Sequence, residues 1–222
     1  DEIDSNGNTS EIPQPTKKAP AKKSNEDQFD LFGFSDESDE PTANHSYYAT
    51  LENTTHFYQI VQGDLPVKLL MQNLLNQTSV CFDTETTGID ALNAELVGMS
   101  FSFEKGKGFY VPFPENQEEA QILIEKFRPF FENETIEKIG QNMKYDLKIL
   151  SNYNIQVKGK LFDTMIAHYL INPDMRHNMD VLSETYLKYA PKSIETLIGK
   201  KGKNQLSMRD VPLEDIKEYA TE

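Results

Sequence analysis

The apolar positions along the chain change their period several times, and each change marks an element. From Tyr47 to Leu51 apolar and polar residues alternate, which predicts a first strand. Leu65–Leu75 (LPVKLLMQNLL) repeats its apolar residues at helical spacing and predicts an amphipathic helix. Val80, Cys81 and Phe82 suit a buried strand and run into Asp83, Thr84 and Glu85, with Gly88 placed to turn the chain off the strand. Glu95–Phe103 and Gly108–Phe113 are two more apolar strands, and the polar stretch Glu104–Lys107 between them is a hairpin signal. Glu118–Phe131 predicts a helix whose last turn Pro129 disturbs. A short strand at Thr135–Gly140 follows, then helices over Gln141–Tyr153, Phe162–Ile171 and Asp180–Tyr189, with Asp163 as a cap near the start of the second. Pro191–Ser207 reads as loop, and Pro212 opens a final helix that runs to the chain end. A meander of three antiparallel strands followed by alternating helices and strands predicts an α/β or α+β domain with helices packed on a mixed sheet.

Residues 1–45 break this pattern. They are polar and charged, and Asp1–Ser10 and Pro13–Lys23 read as disordered linker. Inside them Gln28-Phe-Asp-Leu31-Phe32-Gly-Phe34 forms an apolar cluster between acidic residues, the kind of peptide that docks into a partner's groove. A chance apolar patch, or a segment that packs on another part of the parent protein, is the plainer alternative. The 222 residues suffice for one ordinary domain, here 46–222, plus this segment. The chain begins with Asp, as a fragment or a processed protein would.

Composition narrows the classes. No apolar run is long enough to span a membrane, and the single cysteine, Cys81, allows neither an internal disulfide nor a zinc cluster, which fits a cytoplasmic setting. The net charge is −14. Residues 1–45 carry half of it, with 11 acidic and 4 basic residues. A chain this acidic does not offer a broad passive nucleic-acid surface. It is compatible with an enzyme that meets phosphates through a bound metal and a local patch.

That leaves the carboxylates. Asp83 and Glu85 alternate on a strand, so both point to one face. Two charges held together in a core strand repel each other and resist desolvation. A hard divalent cation with oxygen ligands would offset them. Taken alone, D-T-E reads equally well as the solvated end of an edge strand. A second candidate is Asp146, in the first turns of a helix, where the helix N-terminus favours an anion and where Asn142 and Tyr145 flank it. A third is Tyr219 on the last helix, which would project beside the residue four positions on.

Phe82-Asp-Thr-Glu-Thr-Thr-Gly88, Ile139-Gly-Gln-Asn-Met-Lys-Tyr-Asp146 and Glu218-Tyr-Ala-Thr-Glu222 resemble the three motifs of the 3′–5′ proofreading exonuclease domains of bacterial family A DNA polymerases. Phe162-Asp-Thr-Met165, Arg176-His-Asn-Met-Asp180 and Gly202-Lys-Asn-Gln-Leu206 match the same domains. The resemblance implies a ribonuclease-H-like exonuclease fold with a mixed five-stranded sheet flanked by helices. It implies two divalent cations, Mg2+ or Mn2+, held by Asp83, Glu85 and Asp146, with Tyr219 orienting the attacking water. Asn142, Tyr145 and Arg176 would contact the substrate strand, and Ile89 would lie against the terminal base. The implied substrate is a single-stranded or frayed 3′ DNA end, and the implied neighbour is a polymerase domain of the same parent chain. Gln28, Leu31 and Phe32 resemble the peptide by which bacterial replication proteins bind the sliding clamp. One departure matters: the family's fourth carboxylate falls at position 223, so the parent is expected to continue with it, and 1–222 alone to be less active.

Two alternatives stand beside this reading. One is an RNase D-like exonuclease acting on RNA, which shares the motifs. The other is a structural module that supports a polymerase without catalysing. His45, His56, His168 and His177 lack metal-ligand spacing and read as surface or core histidines. Tyr186 and Tyr189 read as packing residues, and Lys200–Lys203 as an exposed loop as much as a phosphate contact.

Overall fold

The structure is a computed structural model, and the described residues are 48–222. Gln28, Leu31 and Phe32 lie outside them. The first element is a 3-10 turn, Leu51–Asn53, where alternation predicts a strand. The reason is local: Asn53 Oδ1 accepts from the Thr50 N–H at 2.8 Å, a side-chain hydrogen bond that competes with a strand ladder. The first strand is instead β1 (Phe57–Ile60). Helix α1 (Asp64–Leu75) follows and buries Val67, Leu70, Met71 and Leu74 along one stripe.

Strands β2 (Ser79–Thr86), β3 (Leu96–Glu104) and β4 (Lys107–Pro112) form the expected antiparallel meander. Later come β5 (Glu137–Gly140) and β6 (Leu161–Asp163), both added in parallel. The sheet has six strands in the order β1-β4-β3-β2-β5-β6, one more than the five expected. The addition is β6, in a stretch that reads as the start of a helix. Phe162 pairs with Ile139 of β5, and the ladder outweighs the local helical pattern.

Helices fill in around this sheet. The predicted helix ending at Phe131 is two, α2 (Gln117–Glu125) and α3 (Arg128–Phe131), broken just ahead of Pro129. Helix α4 (Lys144–Asn152) begins three residues later than predicted, because Gln141–Met143 form a turn with Asn142 at φ 56°. After α5 (Thr164–Ile171), the predicted helix over 180–189 is a short α6 (Met179–Leu182) running into a π-turn, Ser183–Leu187. Lys188 ends it in the left-handed region, at φ 54°. The loop 191–207 contains one short helix, α7 (Glu195–Ile198), and α8 (Leu213–Thr221) closes the chain.

Phe82, Phe101, Phe127, Phe130 and Phe131 sit in the main core with Leu74, Val80 and Ile136. Phe101 stacks on Phe127 at 5.4 Å and meets Phe130 edge-on at 5.7 Å, the geometries that ring quadrupoles favour. Lys138 is fully buried beside them. Its ammonium donates to the Lys158 carbonyl at 2.8 Å and to the Asn133 carbonyl, and lies 5.4 Å from the Phe130 ring centroid. A smaller cluster, Val97, Tyr110, Met208, Val211 and Ile216, seats α8 against β4, β1 and β3. Gly108 permits that approach, since a Cβ there would lie 2.6 Å from Thr221 Cβ. Among the described residues no helix is long and apolar enough to cross a membrane.

Candidate active site

The site lies at the end of β2, with α4 against that strand and Tyr219 of α8 within electrostatic reach. Val80, Phe82 and Thr84 are buried on one face of β2, and Asp83 and Glu85 project from the other. In register, Asp83 faces Ser100 and Glu85 faces Gly98 of β3, and the register shifts between Glu85 and Thr86, just past the carboxylates, where β3 carries the extra residue Val97. Gly98 is required there: a Cβ would lie 2.0 Å from Tyr110 Oη.

Glu85 is 8 % exposed and Asp146 only 2 %, while Asp83 is half-buried. None of the three has an ionic partner among the described residues. Burial raises the pKa of each. The charges of Asp83 and Asp146 raise Glu85 further, and the charge of Asp83 raises Asp146 further. Three desolvated carboxylates therefore act on one another with no Lys, Arg or His paired to them among the described residues.

Asp146 is turned to the strand. Its Oδ1 accepts from the Thr84 hydroxyl at 2.5 Å and from the Thr84 N–H at 3.1 Å. Among the described residues no three His, Cys, Asp or Glu side chains form a group ready to hold a metal ion. The sequence leads one to expect Asp83, Glu85 and Asp146 as a joint ligand set, and the structure brings them within electrostatic reach without closing a cage. The Thr84 hydrogen bonds fix how Asp146 is turned. The donor set is still all hard oxygen, uncompensated and partly desolvated, and so fits a hard divalent cation in chemistry.

Tyr219 reaches this group from α8. Burial is the main cause of its raised pKa, followed by the charges of Glu85, Asp83, Asp180 and Glu222, so the phenol stays protonated beside the carboxylates. Tyr110 feels Glu85 in the same way. Tyr110 does not stand out in the sequence as part of the site, because only the pairing of β3 with β4 brings it in, and Asp180 appears there only as the end of the matching segment from Arg176.

The remaining candidates divide. Tyr145 Oη donates to the Gly88 carbonyl at 2.5 Å and lies 2.6 Å from Thr86 Oγ1, so it pins the turn after β2. Ile89 stands on that turn, 77 % exposed. Asn142 is held by its backbone, whose N–H donates to Asp163 Oδ1 at 3.2 Å. Asp163 does more than cap α5: beyond the N–H groups of Met165 and Ile166 it accepts from Met143 N at 2.8 Å, tying the starts of α4 and α5 together. Arg176 is exposed and makes no ion pair among the described residues. Its loop is tied to the Asn142 turn through Gln141 Nε2, which donates to the His177 carbonyl at 2.7 Å. The histidines read as isolated are partly coupled: His168 Nδ1 lies 2.6 Å from His177 Nδ1, and His168 Nε2 lies 3.1 Å from Tyr186 Oη.

This arrangement coincides with a family match. Residues 58–222 match the 3′–5′ exonuclease family of A-type DNA polymerases. The DNA polymerase I of Borreliella burgdorferi is 32 % identical over 205 residues, which is 90 % of this chain and 22 % of that protein. The chain thus spans about a fifth of the length of this curated relative. Among solved structures, Escherichia coli RNase D shares the fold at TM-score 0.56 and 14 % identity, covering 73 % of this chain and 40 % of that one. Brucella melitensis NrnC with bound Mg2+ does so at TM-score 0.50 and 19 % identity, covering 71 % of each. With a mixed sheet, helices on it and carboxylates on its central strand, the chain belongs to the 3′–5′ exonuclease family of A-type DNA polymerases.

Proposed function

We propose that residues 46–222 form the proofreading exonuclease domain of a DNA polymerase I and remove nucleotides from single-stranded or frayed 3′ DNA ends. The observation that carries this reading is the set of three partly desolvated carboxylates, Asp83, Glu85 and Asp146, without a cationic partner among the described residues and with the Tyr219 phenol in their field. In this reading the three carboxylates hold two divalent cations, Mg2+ or Mn2+, and the structure of NrnC with bound Mg2+ supports that choice. When bound, such ions lower the pKa of a water and stabilise charge on the leaving oxygen.

The chain's own groups supply the rest. Tyr219, kept protonated by its surroundings, orients the attacking water. The water oxygen bonds to phosphorus, the bond from phosphorus to the 3′ oxygen of the preceding nucleotide breaks, and that oxygen takes up a proton. A 5′-monophosphate leaves. Ile89 packs against the terminal base, Tyr145 holds the Ile89 turn and lines the strand's path, and Asn142 and Arg176 contact the backbone. None of these groups reads base sequence, in keeping with removal of any mispaired terminus.

The test is degradation of a 5′-labelled DNA strand in Mg2+ or Mn2+, with an RNA strand of the same sequence as competitor. A ladder receding from the 3′ end, faster on DNA and abolished by chelation, is expected. Preference for RNA would favour an RNase D-like role, and no cleavage by any form would favour a purely structural module. Of the family's four carboxylates, 1–222 carries three. A form lengthened by one helical turn starting with Asp at position 223 is therefore expected to degrade DNA faster, and equal rates would remove the fourth ligand from the account. In the wider protein the partners proposed are a polymerase domain and, through Gln28, Leu31 and Phe32, the sliding clamp. Replacing Leu31 and Phe32 by Ala should abolish clamp binding, and unchanged affinity would end that assignment.

A further inference from the structure

We infer that Thr84 is a positioning residue for the third carboxylate: its hydroxyl and its backbone N–H fix Oδ1 of Asp146 and thereby present Oδ2 as the ligand oxygen. This rests on the proposed metal-dependent function. A carboxylate oxygen offers two lone-pair directions. Both donors of Thr84 converge on Oδ1, at 2.5 Å and 3.1 Å. Among the described residues no other residue donates to the Asp146 carboxylate, which besides Thr84 meets only its own backbone N–H. Oδ1 is thus committed to the strand, and no other residue claims Oδ2.

The placement follows from the strand's period. Asp83 and Glu85 point to one face of β2, and Thr84, between them, to the other, where the chain folds α4 against it. Three consecutive residues thus address all three carboxylates: two present their own, and the middle one grips the third from 62 positions away. Thr84 is 7 % exposed and Asp146 2 %, so water does not compete for the hydrogen bond, and a charge-assisted bond in such surroundings is strong. A serine, with a freer rotor, could make the same bond; a valine of the same shape could not.

The experiment is a calorimetric Mn2+ titration of the 222-residue chain as wild type, Thr84→Val, Thr84→Ser and Asp146→Asn, each at matched folding judged by thermal melting. Thr84→Val is expected to weaken Mn2+ binding about tenfold, the scale of one hydrogen bond to a charged group. Thr84→Ser should recover most of it. Where turnover is measured, kcat should fall in Thr84→Val while KM for the DNA strand holds, because Thr84 touches no substrate. A merely structural role would lower the melting temperature and leave Mn2+ affinity and the kcat-to-KM split unchanged. Thr84→Val binding Mn2+ like the wild type, or Thr84→Ser failing to recover, overturns the inference while the proposed function stands. A wild type that binds no Mn2+ overturns both.

Discussion

At the scale of single residues, the site is a problem of uncompensated charge. Asp146 is almost fully buried, has no cationic partner among the described residues, and lies in the field of Asp83. Its pKa is raised well above the ordinary value near 4. The sign of the linkage follows: the folded state holds the proton more tightly than the unfolded chain, so the stabilisation is fully present below about pH 4 and is lost as the pH rises through the folded pKa. In chelator, melting temperature of the wild type should therefore fall relative to Asp146→Asn as the pH goes from 5 to 8. Asn keeps an oxygen for Thr84 to bond. A difference that stays flat across that range would contradict the burial argument. Saturating Mn2+ should shrink the pH dependence. Much of this residue chemistry is legible in the sequence: Asp83 and Glu85 through their alternation, Tyr219 and Asp146 through the family pattern. The role inferred for Thr84 is not, since its place between Asp83 and Glu85 gives no sign of a partner 62 positions away.

At the scale of elements, what the sequence reveals is what periodicity controls. Helix α1 and the β3–β4 hairpin appear where the apolar pattern puts them. Pro129 signals the break that separates α2 from α3, although the pattern alone makes it a frayed end. Strand β6 escapes, because three residues at a sheet edge are defined by their pairing with β5 and not by any period. The first strand is displaced because the Asn53 side chain takes the Thr50 N–H, leaving the stretch around Tyr48 and Ala49 with an isolated bridge from Ala49 to Tyr189. The break before α3 has a structural purpose: it swings Phe130 and Phe131 under the sheet, where Phe130 meets Phe101 and the Lys138 ammonium. Phe130→Ala should therefore cost about 3–5 kcal/mol in denaturant unfolding, the range for a fully buried phenylalanine. A loss under about 1 kcal/mol would show that α3 is a loosely held appendage rather than a core element.

At the scale of the whole molecule, residues far apart in sequence meet because the sheet collects them. The carboxylate pair comes from β2, in the interior of the sheet order, Asp146 from α4 and Tyr219 from α8. The net charge of −14 makes a bare chain of this kind repel a phosphodiester, so cations at the acidic site would reverse the sign where the substrate has to approach. The most direct test of this account is the initial rate of mononucleotide release from single-stranded DNA in Mn2+, by the wild type and by Asp83→Asn at equal melting temperature. The account predicts a chelator-sensitive rate for the wild type and a loss of about a hundredfold or more for the variant. A rate that survives chelation, or an Asp83→Asn protein as fast as the wild type, would contradict it.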